Sequence, residues 1–272
     1  MIQALISDLD GTLLPRGGSI STATLKAFQK AGEKGCLRII ATGRNLYSAR
    51  QILSADFPID YLIFSSGAGV FRWHDQQLLS AHHLNPAETR EIAAYLWNYN
   101  INFTIQKEIP DNHHFYYTDL YPVHPDYQKR IATYQPFGQL IERPEEIQSN
   151  ATQFVMILDA KQLYLLEKIR QDLKRFSVVR STSPIDNRAI WLEIFAPGIN
   201  KGNTCQALLN HLHLRLTETA GLGNDYNDVD FLDICAEAYL VANAPQRLKP
   251  YYKSVASDRD NGFSEFVSLI LD

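Results

Sequence analysis

The sequence is poor in the features that would commit it to a secreted, membrane-bound or nucleic-acid-binding role. It has only three cysteines, Cys36, Cys205 and Cys235, an odd number at spacings that fit neither a disulfide framework nor a zinc knuckle. They read as small buried hydrophobes in a reducing compartment. No run of eighteen uninterrupted apolar residues occurs, so no membrane-spanning helix is expected. The opening residues reach Asp8 without a basic leader and an apolar run of signal-peptide length, which reads as a cytoplasmic, soluble protein. Positive charge is not in excess either: 26 Lys and Arg stand against 30 Asp and Glu, a formal net charge of -4. Without a general basic field, neither nucleic acid nor an anionic membrane surface is an expected partner, and any anionic ligand must be held locally. Internal repeats and low-complexity tracts are also absent.

What is present is a chain of 272 residues, 45% hydrophobic, long enough for two packed units. Its N-terminal part alternates short apolar runs (2–6, 37–41, 61–64) with helix-like stretches (22–34, 46–53), the pattern of βαβ units on a parallel sheet. Ser21 is a candidate helix cap and Gly35 a candidate stop, because glycine accepts a left-handed backbone. From about residue 82 to 193 the texture shifts to Tyr, His, Pro and Gln with strands flanking helices, and the βα rhythm returns after Pro197-Gly198. The expectation is an α/β protein: a Rossmann-like parallel-sheet core from residues 1–81 and 194–272, with an inserted α+β domain over 82–193. In such a core the polar residues just after each strand matter most, since open α/β sheets bind ligands at the carboxyl ends of their strands.

The first of those positions holds Asp8-Leu9-Asp10-Gly11-Thr12. Side chains at i and i+2 of a strand share a face, so both carboxylates can aim past the strand end, one to attack and the other to manage protons. Taken alone, Asp-Gly-Thr is also ordinary turn chemistry. Further along stand Ala41-Thr42-Gly43-Arg44 after the second strand, Gly198-Ile199-Asn200-Lys201-Gly202 at a helix start, and Gly223-Asn224-Asp225-Tyr226-Asn227-Asp228 after a later strand.

These four segments, in this order and at strand ends, resemble the motifs of the haloacid dehalogenase superfamily, specifically its Cof-like, sugar-phosphatase-like branch with a large C2-type cap between the second and third motifs. The resemblance covers nearly the whole chain. It implies a Mg²⁺-dependent phosphomonoester hydrolase acting on a small phosphorylated metabolite, a sugar or polyol phosphate before others. Asp8 would be the nucleophile that forms an acyl-phosphate, and Asp10 the acid and base, its main-chain carbonyl also reaching the metal. Thr42 and Gly43 would hold the phosphoryl oxygens at a helix start, Asn227 would bond the phosphate, and Lys201 would offset charge on the transferring group and on Asp8.

Two departures stand out. The fourth motif of that family begins Gly-Asp, whereas here Asn224 stands at the metal-binding position; either its amide oxygen serves, at some cost in affinity, or the loop shifts so that Asp225 completes the shell. Asp228 would be a ligand or a partner of the metal's waters. Ser66 replaces the usual asparagine of an Asn-Gly-Ala segment and is a candidate substrate contact. The loss of a charge at Asn224 keeps a second reading open, a catalytically weakened phosphate-ligand-binding or regulatory protein. In the insertion, the pairs His82-His83 and His113-His114 read as solvated polar side chains rather than metal ligands, because neighbours on a strand or helix face different ways.

Overall fold

The computed structural model describes residues 1–183 and 189–272. Within them the chain forms two compact units, Met1–Ser80 with Asn200–Asp272, and Ala81–Ile199. The chain begins β1 (Ala4–Ser7), α1 (Thr22–Glu33), β2 (Leu37–Ala41), α2 (Leu46–Arg50), β3 (Tyr61–Phe64), β4 (Gly69–Arg72) and β5 (Gln77–Ala81). It then runs through α3 (Pro86–Asn98), β6 (Phe103–Gln106), β7 (Phe115–Tyr117), α4 (Pro125–Thr133), β8 (Gly138–Leu140), β9 (Gln153–Leu158), α5 (Leu163–Asp172), β10 (Ser177–Thr182) and β11 (Ile190–Phe195). It closes with α6 (Lys201–His211), β12 (Thr219–Gly223), α7 (Val229–Leu232), β13 (Glu237–Val241), β14 (Lys253–Val255) and α8 (Gly262–Leu271).

In the first unit the sheet order is β14-β13-β12-β1-β2-β3-β4-β5. The strands from β14 to β3 pair in parallel, and β4 returns antiparallel to β3. Every residue of β1 is buried, as expected of a strand covered on both faces. On one face α6 and α7 bring Cys205, Leu208, Leu209, Phe231 and Leu232 onto Ile6, Ile39 and Ile63. Elsewhere α1 and α8 pack together, with the rings of Phe28 and Phe263 4.2 Å apart. The Ser21 hydroxyl caps α1 by accepting the Thr24 N–H at 3.1 Å, and Gly35 beyond its end has φ +73°. Helix α2 ends at Arg50, short of the expected 53, where the Ile52 N–H closes a tighter i→i−3 turn onto the Ala49 carbonyl at 3.0 Å.

This topology decides where polar loops gather. The chain leaves β1 toward β2 on one side and reaches β12 on the other, so β1 sits where the strand order reverses, the crevice position of open α/β sheets. Register then aligns the loops: Ser7 pairs with both Leu222 of β12 and Ile40 of β2. Asp8, Gly223 and Ala41 therefore emerge side by side at one sheet edge.

The second unit carries a six-stranded sheet in the order β10-β11-β9-β6-β7-β8, antiparallel except for the β7–β8 pair. Strand alternation gives it two faces of different chemistry. Phe103, Ile105, Phe154, Met156, Leu192 and Ile194 form an apolar core with residues of α3 and α5. The intervening positions Thr104, Gln106, Gln153 and Glu193 are polar, yet buried too; on that side Tyr127 of α4 clusters with Ile157 and Trp191. His113 and His114 correct the geometric argument made for them. They lie in a turn, not on a strand or helix, and their rings come within 4.3 Å of each other beside Phe137. Among the described residues no helix is long and apolar enough to cross a membrane.

Candidate active site

Lys201 is the first residue of α6, fixed there by Asn200, whose side chain caps the helix through the Asn203 N–H at 2.7 Å. Its side chain is wholly buried and its Nζ donates to Asp8 Oδ1 and Asp228 Oδ1, both at 2.7 Å. Burial alone would depress the ammonium, but Asp228 and Asp8 outweigh it and hold Lys201 above its ordinary range. Asp8 feels the opposite imbalance. Burial first, and then the Asp228 carboxylate, push its carboxyl up to about 7, while Lys201 pulls it down. Two buried carboxylates thus face one ammonium.

Asp8 is held from several directions. Its N–H donates to the Leu222 carbonyl at 3.0 Å, continuing the β1–β12 ladder, and its Oδ2 accepts the Thr12 hydroxyl at 3.3 Å. Asp228 is held harder still: Oδ1 takes Lys201, and Oδ2 accepts the N–H groups of Asn224 (2.8 Å) and Asp225 (3.0 Å). Both oxygens are committed to building the loop after β12. Gly223 leaves room for this, since a β carbon there would sit 2.7 Å from that of Asp228.

Asn224 is half-buried and lies over the turn that follows Asp10: a β carbon on Gly11, whose φ is +78°, would come within 2.4 Å of the Asn224 amide nitrogen. Asp225 is buried and Asn227 half-buried in the short 3₁₀ turn Tyr226–Asp228. After β2, Thr42 is fully buried, with its hydroxyl oxygen accepting the Arg44 N–H at 3.1 Å, and Gly43 remains partly open. Asp10 is partly exposed and caught by Arg44, whose Nε and Nη2 bond its two carboxylate oxygens at 2.7 Å each. Such bidentate pairing fixes the carboxylate plane as well as its position.

The structure therefore brings Asp8, Asp228 and Lys201 into direct contact and sets Thr42, Gly43, Asn224, Asp225 and Asn227 in loops at the same sheet edge, with Asp10 joined to the loop of Thr42 and Gly43 through Arg44. Sequence reasoning left out two residues. Arg44 was written into the second motif but given no role of its own. Asn243, just after β13, donates to the Gly11 carbonyl at 2.8 Å and accepts the Asp258 N–H at 3.0 Å, tying the first loop down. Its position after a parallel strand was the signal for it.

The donor set can be tested against the metal that the motifs imply. Carboxylate, main-chain carbonyl and amide oxygens are what Mg²⁺ prefers, and a buried carboxylate pair short of positive charge is the electrostatic setting a divalent cation satisfies. Among the described residues, no three His, Cys, Asp or Glu side chains converge as a ready-made metal cage. A Mg²⁺ ion would instead depend on a few protein oxygens together with substrate and water, which is its usual habit.

A family model described as haloacid dehalogenase-like hydrolase matches residues 5–267. Among curated relatives, the chain is 26% identical to an HMP-PP phosphatase of Citrobacter koseri, over 97% of this chain and 94% of that protein. It is 22% identical to a 5-amino-6-(5-phospho-D-ribitylamino)uracil phosphatase of Bacillus subtilis, over 99% of this chain and 98% of that protein. Among solved structures, the sugar phosphatase BT4131 superposes with a TM-score of 0.77 at 19% identity, covering 98% of each chain.

Proposed function

This chain belongs to the haloacid dehalogenase-like hydrolase family, and on that premise we propose that it is a Mg²⁺-dependent phosphomonoester hydrolase acting through an aspartyl-phosphate on Asp8. The observation that carries the reading is the buried Asp8–Lys201–Asp228 contact at the switch point of the parallel sheet. An ammonium with no solvent exposure, pinned 2.7 Å from a carboxylate, keeps that carboxylate aimed and offsets the negative charge that accumulates as it attacks phosphorus. The structure differs from the expectation here: α2 starts at Leu46 under an Asn45 cap and the Thr42 N–H is given to the Ile63 carbonyl, so it is the Thr42 hydroxyl and the Gly43 backbone, in the loop between β2 and α2, that receive the phosphoryl oxygens.

In this mechanism an Asp8 oxygen attacks the phosphorus in line with the departing alkoxide. Asp10 protonates that alkoxide, and then takes a proton from the water that hydrolyses the acyl-phosphate. Arg44 holds the Asp10 carboxylate in position between these steps. Mg²⁺ would be held by Asp8, the Asp10 carbonyl and the Asn224–Asp225 loop, and would supply charge neutralisation for the phosphoryl oxygens. Asp228 serves as the anchor of that loop and of Lys201, because both its oxygens are engaged in doing so.

The substrate is a small phosphorylated metabolite of the sugar or polyol class. Relatives named for HMP-PP, for a phosphoribitylamino compound and for sugar phosphates support this. The protein is cytoplasmic in this reading, and the second unit serves as the cap that selects the leaving group.

Release of phosphate from an aryl phosphate and a sugar-phosphate panel, with and without Mg²⁺, tests the proposal. Asp8→Asn should abolish turnover with no loss of melting temperature. A pure protein inert on the whole panel with the metal present would rule the reading out. The second reading, phosphate binding without turnover, is favoured by Asn224. Asn224→Asp separates the two: a large gain in Mg²⁺ affinity and rate marks a weakened native site, whereas a loss marks a loop built around the amide that lies over Gly11.

A further inference from the structure

Three successive residues after β3 adopt positive φ: Ser65 at +48°, Ser66 at +51° and Gly67 at +108°. Glycine enters this region freely, but a serine's β carbon crowds its own backbone there. Two adjacent serines are therefore an unusual choice, and both are buried to within 1%. Such a conformation persists only where the surroundings over-determine it, and here they do so from both ends.

On one side the turn grips the loop after β2. The N–H of Ser65 donates to the Arg44 carbonyl at 2.7 Å and that of Ser66 to the Thr42 carbonyl at 3.0 Å. The Ser66 hydroxyl lies beside Gly43, where a β carbon would come within 3.4 Å of its oxygen. On the other side the turn meets the start of α6. The Gly67 carbonyl accepts the Thr204 hydroxyl at 2.9 Å, and a β carbon on Gly67 would strike the Asn200 carbonyl at 2.4 Å. Asn200 caps α6 and immediately precedes Lys201. One strained turn thus touches the backbone of both the Thr42–Gly43 loop and the Lys201 helix.

We infer that Ser65–Gly67 is a strut that sets the spacing between the Thr42–Gly43 backbone and Lys201, with Ser66 as a positioning residue pressed against Gly43. This rests on the phosphohydrolase reading and extends it to residues that touch neither phosphorus nor the leaving group. The left-handed backbone is what directs the Ser66 side chain at Gly43. A phosphoryl group spanning Gly43 and Lys201 then meets a gap of fixed width, and a transition state, which needs both contacts at once, depends on that width more than the ground state does.

The test compares Ser66→Gly, Ser66→Ala and Thr204→Val in full-length protein with Mg²⁺ present. Orthovanadate and inorganic phosphate are the ligands, their affinities measured by calorimetry. Ser66→Gly relieves the backbone strain, so its Tm should equal or exceed that of wild type. Its orthovanadate affinity and kcat should nevertheless fall by roughly tenfold, while phosphate affinity and KM change far less. Ser66→Ala keeps the β carbon but loses the hydroxyl that faces Gly43, so its orthovanadate affinity and kcat should fall between those of wild type and Ser66→Gly. Thr204→Val, nearly isosteric, cuts the other end of the strut and should weaken orthovanadate in the same direction.

A Ser66→Gly protein that binds orthovanadate like wild type overturns the inference. So does a loss that appears only alongside a fall in Tm, which is what general destabilisation gives. Should Ser66→Gly fail to fold, Thr204→Val decides: retained orthovanadate affinity overturns the strut, reduced affinity at unchanged Tm supports it. A wild type that binds neither oxyanion overturns the phosphohydrolase reading and this inference together.

Discussion

Each unit sets a cation against its sheet, Lys201 wholly buried and Arg130 half-buried, and the two are held in different ways. In the first, Lys201 is closed off from solvent with carboxylates at 2.7 Å on two sides. In the second, the Arg130 guanidinium lies between the rings of Tyr134 and Trp191, 5.5 and 5.2 Å from their centroids. Its Nε and the Trp191 Nε1 are both buried, with no acceptor among the described residues. Beneath them is the polar sheet face of Thr104, Gln106, Gln153 and Glu193, with Gln153 bonded to Glu193 at 2.8 Å. A satisfied buried charge is one whose geometry is settled before any ligand arrives; a buried donor with no acceptor still has a bond to make.

The comparison is broken most violently at Lys201. Lys201→Met leaves Asp8 and Asp228 buried together with no cation, and uncompensated buried charge of this kind costs about 3–5 kcal/mol. The variant should melt far below wild type and hydrolyse nothing. Melting curves and a phosphate-release assay on the same preparation check both statements. Removing charge from the other end of the contact acts differently: Asp8→Asn takes away one of two repelling carboxylates, so the same assay should find it inactive and the same melt should find it at least as stable as wild type.

A smaller effect is expected at Arg44. Lysine preserves the charge but not the fork that grips both Asp10 oxygens, and the two side chains are not equivalent at bidentate sites. Arg44→Lys should lower kcat by about tenfold while shifting KM little, because in the proposed mechanism a misaimed Asp10 harms the proton transfers rather than substrate capture. Steady-state kinetics on one aryl phosphate separates the two parameters. An unchanged kcat would show that the pair at Asp10 is only a surface ion pair.

How much of this was legible in the sequence follows from what brings residues together. The positions of Asp8 and Asp10 were readable because a short apolar strand delivers them to a known edge, that of Lys201 because it opens a helix there, and that of Thr42 because it directly follows the second strand, although α2 starts only at Leu46. The core's alternating strands and helices, and the mixed α/β texture of the whole, came from the same local patterns. Arg44 was visible but underread: nothing in Thr-Gly-Arg says which carboxylate the guanidinium will reach 34 residues away. Ser66 was flagged for replacing an asparagine, yet its left-handed backbone is hidden, since Ser-Ser-Gly looks like any turn. Arg130 and Trp191 were illegible for a tertiary reason. One comes from a helix and the other from a strand some sixty residues on, and no local period links them.

The gentlest way to sharpen the comparison is Arg130→Met, which keeps the stem packed against Tyr134 and Trp191 and removes only the charged fork. Burial depresses the Arg130 guanidinium while the nearby Glu193 carboxylate favours it. The two effects oppose each other, so Tm should change by about a few degrees at most. That is far less than for Lys201→Met, where two carboxylates at 2.7 Å lose the ammonium they share. Thermal melts of the two variants side by side check the ranking. A fall at Arg130 as large as the one at Lys201 would erase the distinction between the two cations.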